Sequence, residues 1–303
     1  MRRRSETMDK EQTALERLRA AAQMSEQFYH APLIVTTSGG KDSSVCVALA
    51  QRAGINFEVQ HHHTTADAPE TVRFVREEFK RFEALGIKCT INYPTYKGKP
   101  TSMWALIPQK LMPPTRLVRY CCDVLKEQGG AGRMITTGVR WAESTSRKNS
   151  RGVYEATAKD KAKRIILAND NDDRRKLFER CMQKRKSVCN PIIDWTDTDV
   201  WDYIKSEKIP INPLYGCGFK RVGCIGCPIA GKSRYAEFAR YPKYQKLYIS
   251  AFDRMLAERE RRGRMDGSWR IGTTGLDIYH WWMEDGVLPG QMEMDELMGE
   301  DDV

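Results

Sequence analysis

One stretch constrains this chain more than any other. The apolar run Pro32-Leu33-Ile34-Val35 ends in Thr-Thr-Ser-Gly-Gly and passes at once into Lys41-Asp42-Ser43-Ser44 and a helical pattern over Asp42–Arg52. An apolar run of strand length, a glycine turn and a helix-period segment read as strand, tight turn and helix. Gly39 and Gly40 permit a turn whose backbone N–H groups point inward, and the helix N-terminus adds partial positive charge, so the turn can hold a phosphate. Ser38, Ser43 and Ser44 offer hydroxyl donors, Lys41 offers a cation, and Asp42 stands at the helix start where a cap would. The four-residue spacing of a Walker A loop is missing, which argues against that class of ATPase. The plain alternative is a glycine turn without a ligand.

The same alternation continues along the chain. Residues 12–29 carry apolar positions at helical spacing, Gly54 stops the helix after the loop, and Phe57-Glu58-Val59-Gln60 begins a second strand. A helix over Pro69–Leu85, a strand over Ile87–Ile91 and a buried strand over Met134–Val139 follow. Strands alternating with helices predict an α/β fold, a Rossmann-like doubly wound parallel sheet with ligands at the carboxyl ends of its strands. From about residue 196 the texture changes to short helices, turns and cysteines, with Trp201, Trp269, Trp281 and Trp282 in this part. The expected organisation is an N-terminal helix (1–29), a nucleotide-binding α/β domain (30–195) and a smaller cysteine-containing C-terminal region (196–303). Residues 169–186 read as a charged surface helix, 293–303 as an acidic frayed tail, and the basic run over 254–264 as a solvated helix face.

Length and charge set the outer limits. A chain of 303 residues with 41% hydrophobic content can bury one good-sized core plus an appendage. Its start lacks a secretory apolar core and no stretch is long enough to span a membrane, so the expected location is the cytoplasm, with no membrane partner. The net charge of +10 fits an anionic partner: a nucleotide, a nucleic acid or a phosphate-rich site.

Nine cysteines in a reducing compartment point to metal or thiol chemistry rather than disulfides. Cys121-Cys122 and Cys224-Ile225-Gly226-Cys227-Pro228 form two close pairs, and four soft thiolates suit either zinc or an iron–sulfur cluster. An adjacent pair is awkward for two thiolates on one zinc. Cys217 reads as an extra ligand, a sulfur carrier or a passive thiol, and Cys46, Cys89, Cys181 and Cys189 as ordinary buried or surface thiols. In His61-His62-His63, alternate residues of an extended segment face opposite sides, so the run cannot act as one metal site; one histidine is expected at the nucleotide. Arg116 and Arg119 lead into the first cysteine pair, where they would offset negative charge.

The loop resembles the SGGxDS loop of the PP-loop ATP pyrophosphatase superfamily. Further stretches resemble its phosphoadenylyl-sulfate reductase branch: Gly138-Val139-Arg140 with Glu143-Ser144 and Arg147, Asn190-Pro191-Ile192-Ile193-Asp194-Trp195-Thr196, Asp199-Val200-Trp201, and Asn212-Pro213-Leu214-Tyr215, together spanning about residues 30–230. The resemblance implies an adenine nucleotide alpha hydrolase-like fold and an adenine nucleotide, ATP or adenylyl sulfate in type, bound by residues 38–44 with Gly138 and Arg140. It also implies anion-binding arginines at Arg140 and Arg147. The cysteine pattern is similar to the set that binds a [4Fe-4S] cluster in adenylyl-sulfate reductases and in the DNA phosphorothioation sulfurtransferases, which implies Cys121, Cys122, Cys224 and Cys227 as ligands.

The chain departs from the reductases in one respect: it contains no Glu-Cys-Gly-(Leu or Ile)-His segment, whose cysteine attacks the sulfate sulfur there. Cys217 or another internal cysteine would have to replace it. Two enzyme readings therefore stand beside each other. One is sulfonucleotide reduction with a thioredoxin-like reductant. The other is ATP-dependent sulfur transfer from a sulfur donor to DNA or tRNA, in which Lys41, Asp42 with Mg²⁺, Arg140 and Arg147 offset charge at the reacting phosphate. A nucleotide-binding subunit that holds a cluster without turnover is the third.

Overall fold

The computed structural model describes residues 2–127, 129–157, 165–167, 186–265, 269 and 271–284. The charged segment expected at 169–186, apart from Lys186, and the acidic tail lie outside the described residues, as does Cys181. The chain divides into two compact units. The first comprises residues 1–62, 69–92 and 128–223, and the second residues 63–68, 93–127 and 224–303. Each is thus assembled from three segments rather than from consecutive blocks, and residues 196–223, read from the sequence as part of the C-terminal region, pack in the first.

The first unit is organised by a seven-stranded sheet. Its strands are β1 (Leu33–Thr37), β2 (Phe57–His62), β3 (Cys89–Asn92), β6 (Met134–Thr136), β7 (Tyr154–Thr157), β8 (Ile165–Leu167) and β9 (Lys186–Cys189), in the spatial order β3-β2-β1-β6-β9-β7-β8. The five strands from β3 to β9 run parallel, with Val35 opposite Val59 on one side of β1 and opposite Thr136 on the other. Leu33, Ile34 and Val35 are all buried, as expected for a strand covered on both faces. The doubly wound, mostly parallel sheet is as expected, and at one edge β7 runs antiparallel to both β9 and β8. Short strands such as Tyr-Glu-Ala-Thr carry too little periodicity to announce their direction.

Helices pack in one cluster with Leu33, Val35 and Met134 on one face of the sheet, while Ile34, Ile135 and Val188 form a separate cluster on the other. In Lys41–Ala53, Val45, Cys46, Leu49 and Ala50 are buried, and Gly54 ends the helix at φ 65° with its N–H on the Gln51 carbonyl. The N-terminal helix Arg2–Tyr29 buries a stripe of Ala14, Leu18, Ala21 and Met24. Arg17, buried on that stripe, makes a two-point contact with the Asp194 carboxylate, both bonds 2.9 Å, and donates to the Pro191 carbonyl at 2.9 Å, so the helix is fastened to the segment that follows β9. The order in which strands are added reverses at β1: the chain steps outward on one side to β2 and β3, then returns to place β6, still parallel, on the other. The loops after β1 and β6 therefore meet at a topological switch point.

The second unit is mainly helical. Met103–Lys110, Tyr120–Leu125, Ser233–Arg240, Pro242–Arg261 and Gly275–Glu284 are its helices, beside a short hairpin of β4 (Thr95–Tyr96) and β5 (Lys99–Pro100). Phe238, Tyr248, Phe252 and Trp282 interlock at its centre, with Tyr248 and Trp282 ring centroids 4.7 Å apart. The Trp282 indole donates to the Pro114 carbonyl at 2.6 Å. Among the described helices, none is long and apolar enough to cross a membrane.

Candidate functional site

The turn after β1 is built as its residues require. Gly39 has φ 74°, and a side chain there would also meet Thr71 and Val75 at 3.0 and 3.1 Å. Ser43 is buried: its hydroxyl donates to the Gly40 carbonyl at 2.8 Å and accepts the Ser38 N–H at 3.2 Å, so it braces the turn from within. Ser44 adds a longer bond to the same carbonyl at 3.3 Å, while Ser38 faces solvent. The Lys41 N–H, the first of the helix, donates to the Tyr215 hydroxyl at 2.9 Å. Burial raises the pKa of that phenol to about 12, so it stays protonated. Asn212, fully buried, donates from its amide to the Gly39 carbonyl at 3.2 Å and to the Thr71 hydroxyl at 3.0 Å.

Four charges converge on the first helical turn. Lys41 Nζ lies 3.1 Å from Asp42 and 2.9 Å from Asp197. Arg140 places Nε 2.7 Å from Asp42 and Nη2 3.0 Å from Asp197, and Nη1 donates to the Trp195 carbonyl at 3.3 Å. Both cations are buried, with side chains 7% and 3% exposed, whereas the Asp197 side chain is 64% exposed. The hydrogen bond from Lys41, reinforced by Arg140, holds the Asp197 carboxyl below its usual range despite partial burial. Gly138 completes the arrangement. A Cβ on it would stand 2.8 Å from the carbonyl carbon of Asp42 and 3.0 Å from the Ser43 nitrogen, so only a bare α-carbon lets the loop after β6 lie against the helix start.

Of the residues singled out in the sequence, Ser38, Gly39, Gly40, Lys41, Asp42, Ser43, Ser44, Gly138 and Arg140 are brought together here. Arg147 sits in the short helix Thr145–Ser150 and forms an ion pair with Glu143. Cys217 is exposed at the end of the turn Pro213–Cys217, two residues beyond Tyr215. His61 hydrogen-bonds the Thr37 carbonyl at 2.9 Å. His62 is kept neutral, its pKa lowered by burial and by Lys186 to about 4. Burial drives the Cys46 thiol well up and that of Cys89 to about 11, in keeping with unreactive thiols.

Cys121, Cys122, Cys224 and Cys227 lie wholly in the second unit. Cys224 is buried, forms a bridge pair with Asp67, and its thiol lies 3.3 Å from the Thr64 hydroxyl. The Cys224–Cys227 loop is held from three sides. The Gly226 N–H donates to buried Glu237 at 2.8 Å, the Tyr248 hydroxyl donates to the Ile225 carbonyl at 3.0 Å, and Phe238 packs against Gly226, whose φ is 73°. On the other pair, Arg119 Nη2 is 3.1 Å from Cys122 Sγ. Cys122 is the more acidic thiol, its pKa lowered by the hydrogen bond from Cys121 and then by Arg119 and Lys126. Cys121 is pushed up by the same hydrogen bond, by burial and by the fields of the other three sulfurs. Lys126 is raised chiefly by Cys224, with Asp67, Cys122 and Cys227 adding to it. Four mutually felt sulfurs beside two cations fit an anionic thiolate-held centre. Among the described residues, no three of these sulfurs lie within 4.8 Å of one another.

Three residues at the loop carry no signal of their roles in the sequence. Asn212 and Tyr215 stand in a stretch that could be matched to relatives, yet nothing local says that they clamp a loop more than 170 residues away. Asp197 stands between matched residues, as an ordinary acid at a helix start.

Residues 32–230 match the family described as "Phosphoadenosine phosphosulfate reductase domain". The chain is 28% identical over 238 residues to the uncharacterized protein MJ0973 of Methanocaldococcus jannaschii, covering 77% of this chain and 50% of that protein, so it spans half the length of this relative. It is 24% identical over 225 residues to an adenosine 5'-phosphosulfate reductase of Bacillus cereus, covering 70% of this chain and 81% of the other. Among solved structures, a phosphoadenylyl-sulfate reductase from Candida auris in a phosphate complex aligns with a TM-score of 0.44 at 18% identity, over 70% of this chain and 88% of that one.

Proposed function

The chain belongs to the phosphoadenosine phosphosulfate reductase domain family, and on that footing we propose that it is an enzyme of sulfur metabolism that binds an adenine nucleotide at residues 38–44. The observation that carries this reading is the pair of buried cations, Lys41 and Arg140, set at the mouth of a glycine turn on a helix N-terminus. Backbone donors and two fixed cations in a partly dry site are what a polyphosphate or sulfated phosphate needs. Arg140 acts at the phosphates together with Lys41, Arg147 serves as an outer cation beyond Glu143, and Asp42 serves as the ligand for a magnesium ion carried in with the nucleotide.

We further read Cys121, Cys122, Cys224 and Cys227 as the holders of a [4Fe-4S] cluster, which would supply electrons or sulfur. Arg119 and Lys126 would offset its charge. Cys217, the exposed thiol two residues beyond Tyr215, is the proposed sulfur-handling group in the first unit. Sulfonucleotide reduction and ATP-dependent sulfur transfer to nucleic acid use these parts equally.

Anaerobically purified protein decides between them. Sulfite formed from adenylyl sulfate or its 3′-phosphorylated form with thioredoxin establishes reduction. Pyrophosphate released from ATP only when DNA or tRNA is present establishes transfer. Nucleotide binding with neither product establishes a binding subunit, and nucleotide affinity unchanged in Lys41→Ala overturns the assignment of the loop.

A further inference from the structure

The carboxylate of Asp197 lies where an incoming anion would have to lie. One oxygen, Oδ1, bridges Lys41 Nζ at 2.9 Å and Arg140 Nη2 at 3.0 Å, which is the contact a phosphate oxygen makes with two cations. The two partners differ in their freedom. Lys41 and Arg140 are 7% and 3% exposed and are held by Asp42 and the Trp195 carbonyl, whereas Asp197 is 64% exposed. Asp197 is also dispensable to its own helix, Asp197–Ser206, whose cap is formed by Thr196 and Asp199 bonding reciprocally. A solvent-facing side chain can rotate away at small cost, while buried cations cannot follow it.

We propose that Asp197 is an internal competitor for the anion slot between Lys41 and Arg140, displaced when nucleotide phosphate enters, and that it thereby sets a minimum charge that a ligand must carry to bind. Two neighbouring phosphates or a magnesium-bound polyphosphate outcompete it; a lone weak anion does not. The inference rests on the loop being the nucleotide site and adds a selectivity residue to it.

The test compares wild type with Asp197→Asn by calorimetry, using ATP, inorganic pyrophosphate and uncharged adenosine as probes. The carboxamide keeps the shape and removes the competing charge. Losing two partly exposed ion pairs corresponds to about a tenfold change in affinity. Asp197→Asn is expected to bind ATP and pyrophosphate about tenfold more tightly, with adenosine unaffected. Equal or weaker anion binding in Asp197→Asn overturns the proposal, weaker binding marking Asp197 as a ligand to nucleotide or metal. A parallel gain for adenosine overturns it too, since that would report a change of shape rather than of charge. Lys41→Ala separates the two claims: if it weakens ATP binding while Asp197→Asn changes nothing, the loop stands and the competitor falls, and if neither variant alters ATP binding, both fall.

Discussion

Gly138 lies so close to Asp42 that a methyl group on its α-carbon would stand 2.8 Å from the Asp42 carbonyl carbon. The loop after β6 and the helix after β1 share no room for a side chain, and the obstacle is backbone, which cannot swing aside. Gly138→Ala must therefore move the first turn of Lys41–Ala53 and with it the cations at its head. The expected outcome is a loss of roughly 1–3 kcal/mol in unfolding free energy, together with at least a tenfold loss of ATP affinity. Denaturant unfolding and calorimetry on the same preparation check both.

Gly226 carries two constraints at once, a left-handed φ of 73° and a Phe238 ring atom 2.5 Å from where a Cβ would be. Gly226→Ala should cost roughly 2–4 kcal/mol, the sum of left-handed strain and overpacking. Iron retained after gel filtration should fall with it, while Gly223→Ala, where a Cβ meets nothing nearer than Arg221 at 4.0 Å, should leave iron unchanged.

Cys122, the more acidic of the adjacent pair, should be needed for any thiolate-held centre, whereas the half-buried thiol of Cys89 should not. Cys122→Ser is expected to lose most of the iron and visible absorbance and Cys89→Ser to keep them. Full iron in Cys122→Ser would remove that cysteine from the ligand set.

His62 gives the fold a pH signature. Its pKa in the folded chain is about 4, lowered by burial first and by Lys186 second, against an ordinary value of 6.5. The unfolded chain therefore takes up the proton first as pH falls. The contribution of His62 to stability is unchanged above about pH 6.5, declines between there and about pH 4, and levels off below. The full shift corresponds to about 3 kcal/mol, reduced to roughly 2 kcal/mol by solvent screening of a group about one third exposed. His62→Gln should flatten this decline, as seen in the difference between the two proteins' unfolding free energies from pH 7 to pH 4. The imidazole also explains Gly129, whose α-carbon lies against the ring.

What the sequence reveals about this chain follows from how local each feature is. The turn at residues 38–44 is legible because an apolar run, two glycines and a helix start are contiguous, so their chemistry can be read without knowing the fold. The cysteine pairs are noticeable for the same reason, since the members of each stand close together in the chain. Asp197, Asn212 and Tyr215 are not, because each acquires its role only when β9 and the segments after it return beside β1. The family resemblance assigns Gly138 to nucleotide binding, and its close approach to Asp42 adds a packing reason that no pattern in one strand could state. The antiparallel edge formed by β7 and β8 escaped for want of length, and residues 63–68 and 93–127 fall in the second unit through contacts formed across long sequence separations.

The three-sided grip of Glu237, Tyr248 and Phe238 on residues 225–226 has a consequence for assembly. Many small metal-holding segments are shapeless until the metal arrives, and their affinity is diminished by the entropy of ordering them. Here the loop that presents Cys224 and Cys227 is moulded by neighbouring helices through a carboxylate, a phenol and an aromatic ring. It behaves as a socket rather than as a clasp. For the cluster proposed at these cysteines, the expectation is that protein stripped of it keeps its thermal transition and recharges without refolding, so that damage would be repairable in place.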